Sequence, residues 1–281
     1  MYIPTKWVRA TGIAQMPDGR QWPATAWGWG DDASTASSKA KKRLQNILDR
    51  LRRGERLPDK YSYDNRPVRE EILQVIDRPA TDKPEAIVTR NRHGVQVLNT
   101  SRMLFLDIDL LPYSGLQRLL AKIGLGKDNS EEGVLTRLRE TLQQSARATF
   151  RIYRTAGGLR VMAVNRDFDP TGREAKELMK ATDTDPAFSR LCAVQDSFRA
   201  RLSPKPWRCN SSSPPVEYPR DDEESRRQFA SWLGAYKSAC NNYATCRYLE
   251  TIGNDRPASF ARASIELHDR MTRCTEALPL A

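Results

Sequence analysis

Arg102-Met-Leu-Phe-Leu-Asp-Ile-Asp-Leu110 is the stretch on which the reading of this chain turns. As a strand it sends alternate side chains to opposite faces. Asp107 and Asp109 take one face; Leu104, Leu106 and Ile108 take the other. Two carboxylates on one face repel each other, and partial burial raises the cost of ionising both. A divalent cation relieves that repulsion, and Mg²⁺ or Mn²⁺ prefers such hard oxygen ligands. The alternative is a strand that runs out into solvent with two acids at its polar end.

Working outward, Gly115 to Gly124 and Glu131 to Ala146 are predicted helices. The second has Val134, Leu135, Leu138 and Leu142 at helical spacing, with Glu131 and Glu132 in its first turn, where the helix dipole favours anions. Thr149 to Thr155 reads as a strand, Ala156-Gly157-Gly158 as a turn and Leu159 to Val164 as the return strand. Residues 172 to 181 and 186 to 197 follow as helices, and Phe198 to Ser203 as a short strand. The order β-α-β-β-α-β is the ferredoxin-like pattern: an α+β core whose antiparallel sheet has helices on one face and the other free for a ligand. Its first and third strands are neighbours, which sets Asp107 and Asp109 beside Arg160. Leu159, Val161 and Ala163 face the helices, so Arg160 falls on the open face.

This core is expected over residues 99–210, with an N-terminal α/β extension over 1–98 and a helical C-terminal region over 211–281. In the first, Ala24-Thr-Ala-Trp-Gly-Trp29 reads as a strand. Asp31, Asp32 and Ser34 are capping candidates for a helix with Ala40, Leu44, Ile47, Leu48 and Leu51 on one stripe. The opposite face of that helix is basic. Ala86 to Arg90 and Val95 to Leu98 form a predicted hairpin turning at His93-Gly94. Arg69-Glu-Glu71 is expected to lead into a helix. In the last region, Asn210-Ser-Ser-Ser-Pro-Pro215 reads as a linker, with helices from about Glu223 to Leu249 and Pro257 to Thr275.

The net charge of +11 and pI near 9.6 favour polyanionic partners such as nucleotides or nucleic acid. No apolar run approaches the roughly 20 residues that cross a bilayer, and the first residues lack the apolar core of a secretory signal. The expectation is a cytoplasmic protein with no membrane partner. Five widely spaced cysteines offer no Cys-x-x-Cys pair, which speaks against a zinc site and a disulfide framework. His93 and His268 are the only histidines, so a three-histidine metal centre is excluded.

From Arg199 to Arg208 the chain carries Arg199, Arg201, Lys205 and Arg208 and no acid. Arg199, Arg201 and Ser203 alternate along a strand and share a face. Cations with a hydroxyl suit a triphosphate or a nucleic-acid backbone; the alternative is a charged edge strand that blocks unwanted pairing.

Taken together, these residues resemble the archaeo-eukaryotic primase-polymerases. Phe105-Leu-Asp-Ile-Asp109 is similar to that family's first metal-binding motif. Thr155-Ala-Gly-Gly-Leu-Arg160 stands where the family has a nucleotide-binding Ser-x-His motif. Asp185-Pro-Ala-Phe188, with Phe198-Arg-Ala-Arg-Leu-Ser-Pro-Lys205 after it, resembles its third acid and its Arg/Ser/Lys run. The resemblance covers about residues 99–208 and implies an RRM-like core and two-metal nucleotidyl transfer. It implies Asp107, Asp109 and Asp185 as catalytic metal ligands for Mg²⁺ or Mn²⁺. Thr155, Arg160, Arg199, Arg201, Ser203 and Lys205 would contact a nucleoside triphosphate, with DNA or RNA as the second partner. The chain departs from the family in lacking the motif histidine; Arg160 stands near its place and cannot lose its proton. Asp196 competes with Asp185 for the third-acid role.

Two alternatives accompany this expectation. A haloacid-dehalogenase-type phosphatase also ends an apolar strand in Asp-x-Asp and would use Thr155, but on an open Rossmann-like sheet. A non-catalytic single-strand binder on the same fold would stack bases on Phe105 and Tyr153, if core packing does not claim both.

Overall fold

A computed structural model of the chain describes residues 1–57, 66–77, 84–110, 128–145, 148–254 and 256–281. It is an α+β protein with antiparallel ladders and six α-helices among the described residues. Two compact units divide it, Tyr2–Ile72 and Leu73–Ala281, the latter with Met1. The expected helix at Gly115 to Gly124 lies outside the described residues.

In the smaller unit β1 (Lys6–Gln15) and β2 (Gln21–Gly30) form an antiparallel hairpin. Helix α1 (Ala33–Arg52) packs across it and begins where Asp32 accepts a hydrogen bond from the Thr35 amide at 2.8 Å. Leu44, Leu48 and Leu51 fill the contact toward the end of α1, and small residues make it near the start. A side chain at Gly28 would place its Cβ 2.0 Å from the Ala36 carbonyl oxygen, so glycine is what lets strand and helix approach.

The larger unit holds two four-stranded sheets. One has the order β10 (Cys246–Ile252), β7 (Phe150–Thr155), β8 (Gly158–Ala163), β6 (Phe105–Asp109). The other runs β3 (Glu71–Asp77), β4 (Ala86–Arg90), β5 (Gln96–Thr100), β9 (Phe198–Arg201). Strands β6 and β8 are neighbours, as the β-α-β-β-α-β order predicts, with Asp107 opposite Arg160 and Asp109 opposite Gly158. Gly158 is required there, since a Cβ would stand 1.9 Å from the Ile108 carbonyl oxygen. Leu104, Leu106, Ile108, Leu159 and Val161 share a core with Leu135, Leu138 and Leu142 of α2 (Glu131–Gln144) and Leu178 and Met179 of α3 (Arg173–Ala181). Helix α4 (Pro186–Gln195) leads into β9.

Four differences from the sequence reading matter. Strand β9 ladders with β5, not with β6: Arg201 lies opposite Val97 and Arg199 opposite Asn99. The buried Asn99 side chain accepts from Arg199 at 2.7 Å and donates to the Ile87 carbonyl at 3.1 Å, which adds side-chain partners to that ladder. Residues 246–252 are strand, not helix. Helix α5 (Glu223–Cys240) stops at Asn241, and Tyr248, Thr251 and Ile252 suit an edge position on β7. Glu71–Asp77 is likewise strand β3. Finally, the sheet face expected to be free is partly covered by α6 (Ser259–Thr272), whose His268 packs on Phe105 and Tyr153. The strands therefore pair across the boundaries expected near residues 98 and 210.

Candidate active site

Strand β6 delivers Asp107 and Asp109 to the sheet end as its alternation dictates. The loop after α3 then lies along its edge, where the Asp185 amide donates to the Asp107 carbonyl at 2.9 Å. Asp185 is the N-cap of α4, accepting from the Ala187 amide at 2.9 Å with one oxygen. Asp196 caps the opposite end of that helix. The helix has 10 residues, so the two acids are about 15 Å apart along it, and Asp185 is the one that joins Asp107 and Asp109.

Two of the carboxylates act on the third. Asp109 is held above the ordinary carboxylate range by partial desolvation first, then by the negative fields of Asp107 and Asp185. Arg201 and Lys205 pull it the other way. Arg201 sets a guanidinium nitrogen 4.0 Å from Asp107 Oδ2. Lys205 is half-buried and lies below the usual lysine range, because of burial first and then the charges of Arg201 and Arg208. Arg208, on the 3₁₀ turn Pro206–Arg208, reaches over the β7–β8 turn: a Cβ on Gly157 would lie 3.1 Å from its Nη2. A cleft of about 650 Å³ opens beside Asp109 and Asp185, lined also by Arg137, Leu138, Thr182 and Pro186. That volume falls within the range of small-ligand sites.

Other expected site residues have structural employment. Thr155 is buried, and its hydroxyl accepts from the Gly158 amide at 3.0 Å, closing the turn. Ser203 accepts from the Gln96 amide at 3.0 Å and shares a hydrogen bond with Tyr236 at 2.8 Å. Arg199 is buried and bonded to Asn99. Arg160 lies on the predicted face but only 3% exposed, beneath α6. One of its Nη1 hydrogens goes to the Arg201 carbonyl at 2.8 Å. The group that comes together is thus Asp107, Asp109, Asp185, Arg201 and Lys205, with Arg208 added.

Sequence reasoning gave Arg208 no role in the site, although it lay inside the four-cation run. It also gave no role to His268, for which no local signal exists: 108 residues separate it from Arg160.

Oxygen donors of this charge fit a hard divalent cation, and Asp109 is raised by burial first, with Asp107 and Asp185 adding to the effect. Among the described residues no three His, Cys, Asp or Glu side chains stand at ligating separation. Mg²⁺ is usually held by one or two carboxylates together with substrate phosphates, so a closed protein cage is not required of such a site.

The aromatic platform fails: Phe105 and Tyr153 are both fully buried. The described ladders are antiparallel, whereas the phosphatase alternative needs an open parallel sheet. No described helix is long and apolar enough to cross a membrane. No family model, no curated protein and no solved structure matches this chain.

Proposed function

We propose that the chain is a primase-polymerase-like protein that binds a nucleoside triphosphate, and DNA or RNA, at the end of β6. One observation carries the reading: carboxylates from two separate segments and cations from a third bear on one another beside a ligand-sized cleft. In this reading β6, α2, β7, β8, α3 and α4 belong to an RRM-like core. Strand β9 would serve as the last strand of that core; its link to β8 is the Arg160 side chain, and its ladder is with β5.

Asp107, Asp109 and Asp185 would hold Mg²⁺ or Mn²⁺. Such ions activate a 3′-hydroxyl and stabilise the leaving pyrophosphate. Arg201, Lys205 and Arg208 orient the triphosphate and offset the charge that develops on it. The second glycine of the β7–β8 turn keeps that turn flush against β6, and Gly157 leaves room for Arg208. Arg160 is a support beneath the site, a role different from the phosphate contact that its sequence position suggests.

The test is incorporation of labelled nucleotide into a primed and an unprimed strand with Mg²⁺ or Mn²⁺. Metal-dependent incorporation that Asp107→Ala abolishes is expected. Strand binding without incorporation, unchanged by metal and by Asp107→Ala, would overturn the catalytic reading in favour of a binder.

A further inference from the structure

The two sheets of the larger unit meet at β6 and β9, and no described ladder joins those strands. Side chains cross the junction: Arg201 of β9 stands 4.0 Å from Asp107 of β6, and Arg160 makes a direct hydrogen bond. Arg160 rises from β8, and its Nη1 donates to the Arg201 carbonyl of β9 at 2.8 Å. The same nitrogen stands 3.2 Å from His268 Nε2, on α6. A guanidinium has only donors, so this contact is a hydrogen bond only if Nε2 carries a lone pair. The other ring nitrogen, Nδ1, stands 2.9 Å from Asp269 Oδ1, an acceptor, which places the imidazole proton there.

We propose that His268 is a positioning residue: as the neutral Nδ1–H tautomer it accepts from Arg160 and so holds β9, with Arg201, against β6 and Asp107. The functional half of this inference rests on the reading of the site given above.

The neutral ring is favoured by burial and by Arg160 and opposed by the Asp269 carboxylate, whose charge is shared with other donors. Arg160 lies on one side. On the other, Asp269 accepts from Tyr153 at 2.9 Å and from Arg151 at 2.8 Å, so the carboxylate is ionised and already paired. The ring is fully buried between Phe105 and Tyr153, with centroids 6.0 and 4.9 Å away. An imidazolium here would be a buried cation facing a buried guanidinium. Its own value is pushed down to about 4, by burial first; Asp269 opposes the shift, and Arg160 and Arg151 add to it.

The experiment has two readouts on the full chain. Long-range ¹H–¹⁵N spectra of the two imidazoles, separated by a His93→Gln variant, report tautomers directly. His268 is expected as Nδ1–H with an unprotonated Nε2 from pH 7.5 down to 5. An Nε2–H tautomer, or an imidazolium at pH 6, would overturn the proposal. The second readout is the affinity for ATP in Mn²⁺. His268→Gln keeps an acceptor near Nε2 and is expected within about threefold of the wild type. His268→Leu and Arg160→Lys remove the bridge and are expected to weaken binding about tenfold or more, with Arg160→Lys carrying the test if the leucine variant does not fold. Wild-type affinity in Arg160→Lys would refute the positioning role. Absence of ATP binding by the wild type would instead refute the nucleotide reading, while the tautomer still decides what His268 does.

Discussion

Two charged centres lie on the same face of the β6–β8 pair, and they are built on opposite plans. Around His268 the charged and polar side chains are paired in a chain: Arg160 with His268, His268 with Asp269, and Asp269 with Tyr153 and Arg151. At the end of β6, three carboxylates and three cations crowd together, Arg201 stands 4.0 Å from Asp107, and both Asp109 and Lys205 are displaced toward their neutral forms. A satisfied buried network stabilises the fold and specifies one arrangement. Displaced titrations beside a cleft are a probabilistic sign of a functional site, and of Asp109 and Lys205 only Asp109 lines the cleft. The difference teaches which charged residues to assign to folding and which to chemistry, although both sets read alike in the sequence.

The sharpest break of the comparison is to neutralise one acid in each centre. Asp269→Asn removes the acceptor of three hydrogen bonds and is expected to cost about 3 kcal/mol in chemical denaturation. Asp109→Asn relieves repulsion, so metal-free stability should hold or rise while nucleotide incorporation falls roughly 1000-fold. Equal destabilisation by both would erase the distinction.

His268 gives a pH test of the satisfied centre. Its folded value of about 4 lies below the ordinary 6.5, so protons favour the unfolded chain. Its contribution is complete above pH 6.5, declines as pH falls toward 4 and is constant below that. The loss across this window is about 3 kcal/mol, read as the difference between wild type and His268→Gln in denaturant midpoints. Parallel profiles for the two proteins would mean that the imidazole is not held neutral.

Smaller effects sharpen the boundary between the centres. Lys205→Ala should weaken ATP binding about tenfold, near 1.4 kcal/mol, with stability unchanged. Ser203→Ala should do the reverse, lowering stability by about 1 kcal/mol through the lost bonds to Gln96 and Tyr236 and leaving ATP affinity alone. Isothermal titration alongside thermal melts separates the two.

What the sequence made legible follows from local rules. Alternation put Asp107, Asp109 and Arg160 on one face, and the element order made β6 and β8 neighbours. A helix was legible over residues 186 to 197, whereas the capping role of Asp185 at its start appears only in the structure. What stayed hidden depends on pairing across long separations. Alternation gives Arg199, Thr155 and Ser203 a face but not a partner, and each partner lies elsewhere: Asn99, the Gly158 amide, Tyr236. Strand β10 was masked by helix-compatible residues running on from α5, and edge pairing with β7 decided it. The cover that α6 places over Arg160 has no signature in the residues around either.

The central claim is that the acids of β6 and α4 bind metal together with a triphosphate. Electron paramagnetic resonance of Mn²⁺, titrated into wild type, Asp109→Asn and Asp196→Asn with and without ATP, tests it most directly. ATP-dependent bound Mn²⁺ is expected in wild type and Asp196→Asn and should be lost in Asp109→Asn. Equal Mn²⁺ binding by all three proteins, or none by the wild type in the presence of ATP, would contradict it.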